Sequence, residues 1–167
     1  MRSTDLKRSS QAISSLAIPR GAGAWLAVVR TYQQCTQTLS ELIKPLGLKL
    51  AQHDVLMNLL RDEELSQQQL ASRSFVTKSH ISGVIAEMME SGWLARSGSE
   101  LDKRSKLVRL TPQGRALALQ ALAAQNTVIH TMMDPLTDRQ VIELERISLD
   151  AVERLIELET SIEPLKL

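Results

Sequence analysis

The chain is poor in aromatic side chains: Trp25, Tyr32, Phe75 and Trp93 are all that its 167 residues contain. Sandwiches and barrels of β-strands draw on aromatic and β-branched residues, so this scarcity points to a mainly α-helical protein. A single cysteine, Cys35, excludes an intramolecular disulfide framework and a cysteine-rich zinc module. No run approaches the roughly 18–20 uninterrupted apolar residues of a membrane span. The start, Met1 to Ser15, has no apolar signal-like stretch, and the protein is expected in the cytoplasm, without a membrane partner. Nucleophile motifs, phosphate loops and metal pairs are also missing, and His53, His80 and His130 lie apart. No catalytic residue, cofactor or metal is therefore expected. What remains, 43% hydrophobic and 23% charged, suits one globular domain with helical extensions.

Residues 1–21 read as a mobile arm, first of all a solvated tail, with contact of Arg2, Lys7, Arg8 and Arg20 to phosphates as the alternative. From Ala24 to Leu46, Trp25, Val28, Tyr32, Cys35, Leu39, Leu42 and Leu46 step by threes and fours, a heptad-like seam ended by Pro45 and Gly47. Such a seam needs a partner surface. A shorter helix over Ala51–Leu60 turns Val55, Leu56, Leu59 and Leu60 to a core. Ser66 with Gln69 forms a capping box that opens a helix to about Arg73. Thr77 is placed to cap the next helix, which runs to Ser91 and stops at Gly92. Strand-like runs follow at Trp93–Arg96 and Lys106–Leu110, separated by a polar loop. Thr111-Pro112 opens a helix to about Met133, which Asp134-Pro135 breaks. Thr137 with Gln140 is a second capping box, starting a helix that carries Val141, Leu144, Val152, Leu155 and Ile162 on one face. Residues 161–167 form a tail.

Two short helices around a tight turn, followed by a hairpin, describe a winged helix-turn-helix. Leu70, Val76, Ile81 and Val84 fall where such a unit buries apolar side chains, and Ala71 is small where its helices cross. Thr77, Lys78, Ser79, His80 and Ser82 crowd the first turns of the second helix, the part that enters the DNA major groove. Hydroxyls there and at Ser66 can hold phosphates, and Lys78 and His80 can reach phosphates or base edges. Gly83 permits close approach of a backbone or eases helix packing. In the loop, Lys103 and Arg104 suit a wing entering the narrow minor groove. Asp102 reads as a brace holding Arg104 or Arg96.

The run Leu65-Ser66-Gln-Gln-Gln-Leu70-Ala71, then Val76-Thr77-Lys78-Ser79, Gly92-Trp93-Leu94-Ala-Arg96, Asp102-Lys103-Arg104-Ser105 and Leu110-Thr111-Pro112-Gln113-Gly114, resembles the MarR family of bacterial regulators. The resemblance spans roughly residues 22–160 and includes Pro45-Leu-Gly-Leu48 and Gln52-His-Asp-Val-Leu56. It implies a homodimer whose first and last helices (22–46 and 112–160) intertwine around winged lobes (51–111). It also implies binding to double-stranded, pseudo-palindromic operator DNA, usually as a repressor, and release by a small aromatic acid or phenol. By matching positions, Thr77, Lys78, Ser79, His80 and Ser82 face the major groove and Arg104 the minor groove.

For the effector, Trp25, Tyr32 and His53 are candidates to line a cleft, with Arg30 pairing a carboxylate; core packing is the alternative for both aromatics. Two other functions stay open: a winged helix that binds proteins, and a thiol-based redox sensor using Cys35. Charge discriminates the first. The net charge of +1 hides a partition: residues 66–115 carry eight Lys/Arg against four Asp/Glu, whereas 116–167 carry four against nine. A basic lobe beside an acidic helical region is the distribution a DNA-binding dimer requires.

Overall fold

The computed structural model describes residues 19–74, 78–96 and 107–162, with the side chains of Lys78 and Ser79 left aside. The chain divides into two compact units, Met1–Thr38 and Leu39–Leu167. Helix α1 (Ala22–Ile43) begins in the first unit. Its seam meets no core there: Trp25 is 65% and Val28 69% exposed. The α-helix stops two residues before Pro45, and Lys44–Leu46 tightens into a 3-10 turn. The helix expected over Ala24–Leu46 is thus shorter at its end, because the proline lacks the N–H that an α-helix would use.

In the second unit, α2 (Leu50–Arg61) starts with the Gln52 side chain accepting the Lys49 N–H at 2.9 Å. Val55, Leu56 and Leu59 are buried, whereas Leu60 is only half-buried, one step off the core-facing stripe. A two-residue strand β1 (Leu65–Ser66) leads into α3 (Gln67–Arg73), and α4 spans Lys78–Glu90. Strands β2 (Leu94–Arg96) and β3 (Leu107–Leu110) pair antiparallel, with Leu94 opposite Leu110. β1 adds to the other edge of β3, Leu65 opposite Val108, giving the order β1-β3-β2. The sequence reading has the hairpin but not β1. Two residues carry no period-2 pattern, and these two also cap a helix.

Helix α5 (Pro112–Met133) buries Gly114, Ala118, Ala121 and Val128. Their spacing of fours, threes and seven puts small side chains on one stripe, which lets α5 lie close against α2. The core gathers Ile43, Leu56, Leu59, Leu70, Ile81 and Met88 among α2, α3, α4, α5 and the sheet. Helix α6 (Asp138–Ser161) opens with the Thr137–Gln140 capping box. Only Val141 and Asp150 along it are even half-buried; Ile142 and Leu155 are 65% and 64% exposed. Ile162, expected on its apolar face, is the residue just past its end. The fold is therefore mainly α with a small antiparallel sheet, a winged helix-turn-helix flanked by long helices.

Candidate nucleic-acid interface

The first helix of the motif is anchored at its start. The Gln69 N–H donates to Ser66 Oγ at 3.2 Å, and the Ser66 N–H donates to Gln69 Oε1 at 2.8 Å. That exchange satisfies two donors a helix start leaves open and contributes about 1 kcal/mol. The Ser66 hydroxyl still has its own proton to donate. The end of α3 is held by Arg73, whose guanidinium donates to Asp62 beyond α2. Leu70, Ile81 and Val84 are buried as the motif requires, and Ala71 packs against the core.

Helix α4 sets Ile81, Val84, Ile85 and Met88 inward. His80, Ser82, Gly83 and Ala86 are exposed. A Cβ built on Gly83 meets nothing within 4 Å among the described residues beyond its own helix turn, so packing against them does not demand glycine there. Glycine within a helix costs about 1 kcal/mol relative to alanine. Ser82, Gly83 and Ala86 together leave a strip of short side chains along which another backbone can approach. On the other flank, Glu87 accepts from Lys49 Nζ at 3.1 Å and from Gln52 Nε2 at 3.3 Å. Gln52 is buried, so the start of α2 is tied to the far half of α4.

One partner of this helix was not anticipated. Gln67, the first residue of α3, donates its side-chain amide to the Ser82 hydroxyl. The two positions lie fifteen residues apart, a separation no local periodicity reports. The only sequence signal is the run of three glutamines at the start of the first helix, of which the capping box uses one.

The wing base is built just as tightly. Gly92 (φ 73°) ends α4, its N–H bonding Met89 O at 3.0 Å while the Trp93 N–H bonds Met88 O at 2.9 Å. This turn points the chain into β2. Thr111 closes the hairpin from the other side: its N–H donates to Trp93 O at 3.0 Å, and its Oγ1 donates to Gly92 O at 2.7 Å. The same Oγ1 accepts the Gly114 N–H at 3.0 Å. The Thr-x-x-Gly spacing thus serves as helix cap and hairpin clasp together. Arg96, at the end of β2, is exposed. Val76, Thr77, Asp102, Lys103 and Arg104, like the side chains of Lys78 and Ser79 and the arm residues Arg2, Lys7 and Arg8, lie outside the described residues.

Known proteins match this arrangement. The sequence model of the MarR family covers residues 46–105. An HTH-type transcriptional regulator of Bacillus cereus is 32% identical over 105 residues, 63% of this chain and 69% of its own. An HTH-type transcriptional repressor of Mycobacterium bovis is 32% identical over 108 residues, 65% of this chain and 78% of its own. The chain belongs to the MarR family. Among solved structures, a Mycobacterium tuberculosis MarR family protein in complex with salicylic acid is 28% identical, with a TM-score of 0.63, over 82% of this chain and 98% of that one.

The residues named as effector candidates fall on two helices of this MarR-family transcriptional regulator. Trp25, Arg30 and Tyr32 lie exposed on α1, and Cys35 is half-buried on the same helix. His53 is buried in α2. Burial holds its pKa below the ordinary 6.5, against the opposing pull of the Asp54 carboxylate and the Ala121 backbone. Its Nε2 has no hydrogen-bond partner. The imidazole is thus enclosed between α2 and α5. A depression of about 310 Å³ on the lobe is lined by Leu59, Glu63, Glu64, Arg109, Leu110 and Arg115, none of them a sensor candidate. Among the described residues no three His, Cys, Asp or Glu side chains gather as a metal site, and no helix is long and apolar enough to cross a membrane.

Proposed function

We propose that this MarR-family protein is a cytoplasmic, homodimeric repressor that binds a pseudo-palindromic operator and leaves it when a small aromatic acid or phenol binds. The observation that carries the reading is the uncovered apolar surface of α6. Ile142, Leu144, Ile147, Leu149, Val152, Leu155, Ile156 and Leu158 are all exposed on one 24-residue helix. Monomeric proteins rarely expose contiguous apolar patches beyond a few hundred Å². A second copy meeting it about a two-fold axis buries the same residues twice. The exposed seam of α1 fits the same role, so residues 22–46 and 112–160 serve as the dimer region and 51–111 as the DNA lobe.

A two-fold dimer presents two α4 helices to two half-sites one helical turn apart. Thr77, Lys78, Ser79, His80 and Ser82 then meet the major groove, Ser66 a phosphate, and Lys103 and Arg104 the minor groove, with Asp102 and Arg96 bracing the wing. The excess of Lys/Arg in residues 66–115 favours DNA over a protein partner for this wing. For the effector, the similarity to a family member solved with salicylic acid supports an aromatic acid, with Trp25, Tyr32, Arg30 and His53 as the residues to test. The deciding experiment is a mobility shift with the DNA upstream of the protein's own gene, with and without salicylate, beside sedimentation to give the oligomeric state. Salt-sensitive, sequence-preferring binding by a dimer is expected. Binding that ignores sequence, or a monomer at micromolar concentration, refutes the reading.

A further inference from the structure

The structure assigns to Gln67 the task of setting which way the Ser82 hydroxyl faces, so that Ser82 reads DNA as a hydrogen-bond donor. The inference rests on the DNA-regulator reading and adds to it a residue of α3 that determines sequence preference.

A serine hydroxyl has one proton and two lone pairs on a free rotor, so on its own it bonds to donor or acceptor and discriminates weakly between bases. Here the Gln67 side-chain amide donates to Ser82 Oγ. One lone pair is occupied, and the hydroxyl proton is turned away from the incoming N–H. Ser82 is exposed on α4, beside Gly83, where no atom of the described residues beyond its own helix turn lies within 4 Å of a built Cβ. The proton then takes one of the two directions left around Oγ, and the open strip of the helix, along which a groove edge can come close, is among the sides free to receive it. The groups it suits are acceptors: guanine O6 or N7, adenine N7, and thymine O4; the amino group of cytosine is disfavoured.

Gln67 is itself well placed to hold this orientation. It is the first residue of α3, anchored by the Ser66–Gln69 cap on one side and by Arg73 to Asp62 at the helix end. Its side chain crosses to α4 while Gln69 is occupied in the cap, so the glutamine run divides its work between helix start and helix partner. Gln67 acts through Ser82 and is a positioning residue.

The test is a selection from a randomised double-stranded DNA pool, followed by affinities of the full-length protein for the enriched duplex with each base pair substituted in turn. Ser82→Ala is expected to flatten the preference at one base pair per half-site by about fivefold, the worth of one hydrogen bond. Gln67→Ala is expected to flatten the same base pair, and the double variant to add nothing. Gln67→Glu turns the partner into an acceptor, so the Ser82 proton swings toward it. Overall affinity then falls, but the ranking of bases at that position, taken within the variant, shifts toward those that present an amino donor. Thermal melts confirm that each variant is folded. Uniform loss of affinity across all positions in Gln67→Ala, or flattening at a base pair Ser82→Ala does not touch, overturns the inference while leaving the regulator reading intact. A wild-type protein that enriches no sequence overturns both.

Discussion

Replacing Gly114 by alanine sets two well-calibrated effects against each other. Gly114 sits in the first turn of α5, where alanine is intrinsically better than glycine by about 1 kcal/mol. Propensity alone therefore predicts a stabilised protein. The structure predicts the opposite. A Cβ built on Gly114 lies 1.9 Å from the Trp93 carbonyl oxygen and 2.8 Å from its carbon, both backbone atoms in the hairpin base. The helix start and the Gly92–Trp93 turn must part by more than 1 Å to admit the methyl group. That separation strains the Thr111 N–H to Trp93 O bond and the Thr111 Oγ1 bond to Gly92 O, at 3.0 and 2.7 Å. Overpacking of this kind costs about 1–3 kcal/mol, and each hydrogen bond weakened about 0.5–1.5 kcal/mol. After the propensity gain, a net loss of about 1–5 kcal/mol is expected, near 3 kcal/mol at the middle of the range. In a domain of this size the middle value lowers the melting temperature by roughly 6–12 °C. Thermal unfolding followed by circular dichroism, at equal protein concentration so that any self-association contributes equally, measures the difference. A variant that melts within 2 °C of the wild type, or above it, refutes the claim that this glycine is a contact requirement.

Three further outcomes are expected. Leu155→Glu places a charge in the proposed dimer surface; a buried leucine is worth about 2 kcal/mol and a two-fold interface holds it twice, so the dimer dissociation constant rises about a thousandfold, as sedimentation would detect. An unchanged dimer would remove α6 from the interface. His53 has a folded-state pKa depressed by burial, so between 6.5 and that lower value the unfolded chain binds more protons. The stability it contributes is complete above 6.5 and is lost as pH falls through the lowered value. The urea midpoint should therefore drop more from pH 7.5 to 5.5 in the wild type than in His53→Gln, and equal drops would exclude this group as the cause. Arg104→Ala should weaken operator binding about tenfold or more and leave the proposed dimer intact, since it removes the cation proposed for the minor groove; unchanged binding in a shift assay would mean the wing does not touch DNA.

Legibility in the sequence followed the range of the interaction. Caps and breakers act over three or four residues, so Ser66 with Gln69, Thr111 before Pro112, Thr137 with Gln140, and the stop at Gly92 are readable as text and recur in the structure. The buried stripes of α2 and α4 are likewise local periodicities, as are the apolar seams of α1 and α6. The charge partition needs only counting.

Tertiary structure decided what depends on residues distant in the chain. It paired β1 with β3, because strand partnership is set by the sheet's free edge and not by two residues' composition. It turned Gly114 from an unremarkable helix residue into a contact point with Trp93, 21 positions away. It enclosed His53, a sensor candidate by residue type, against α5, and it joined Gln67 to Ser82 across the helix-turn-helix. Residue type and period give each segment its shape and its apolar face; which atoms then meet is fixed only when the packed helices bring remote positions within hydrogen-bond reach.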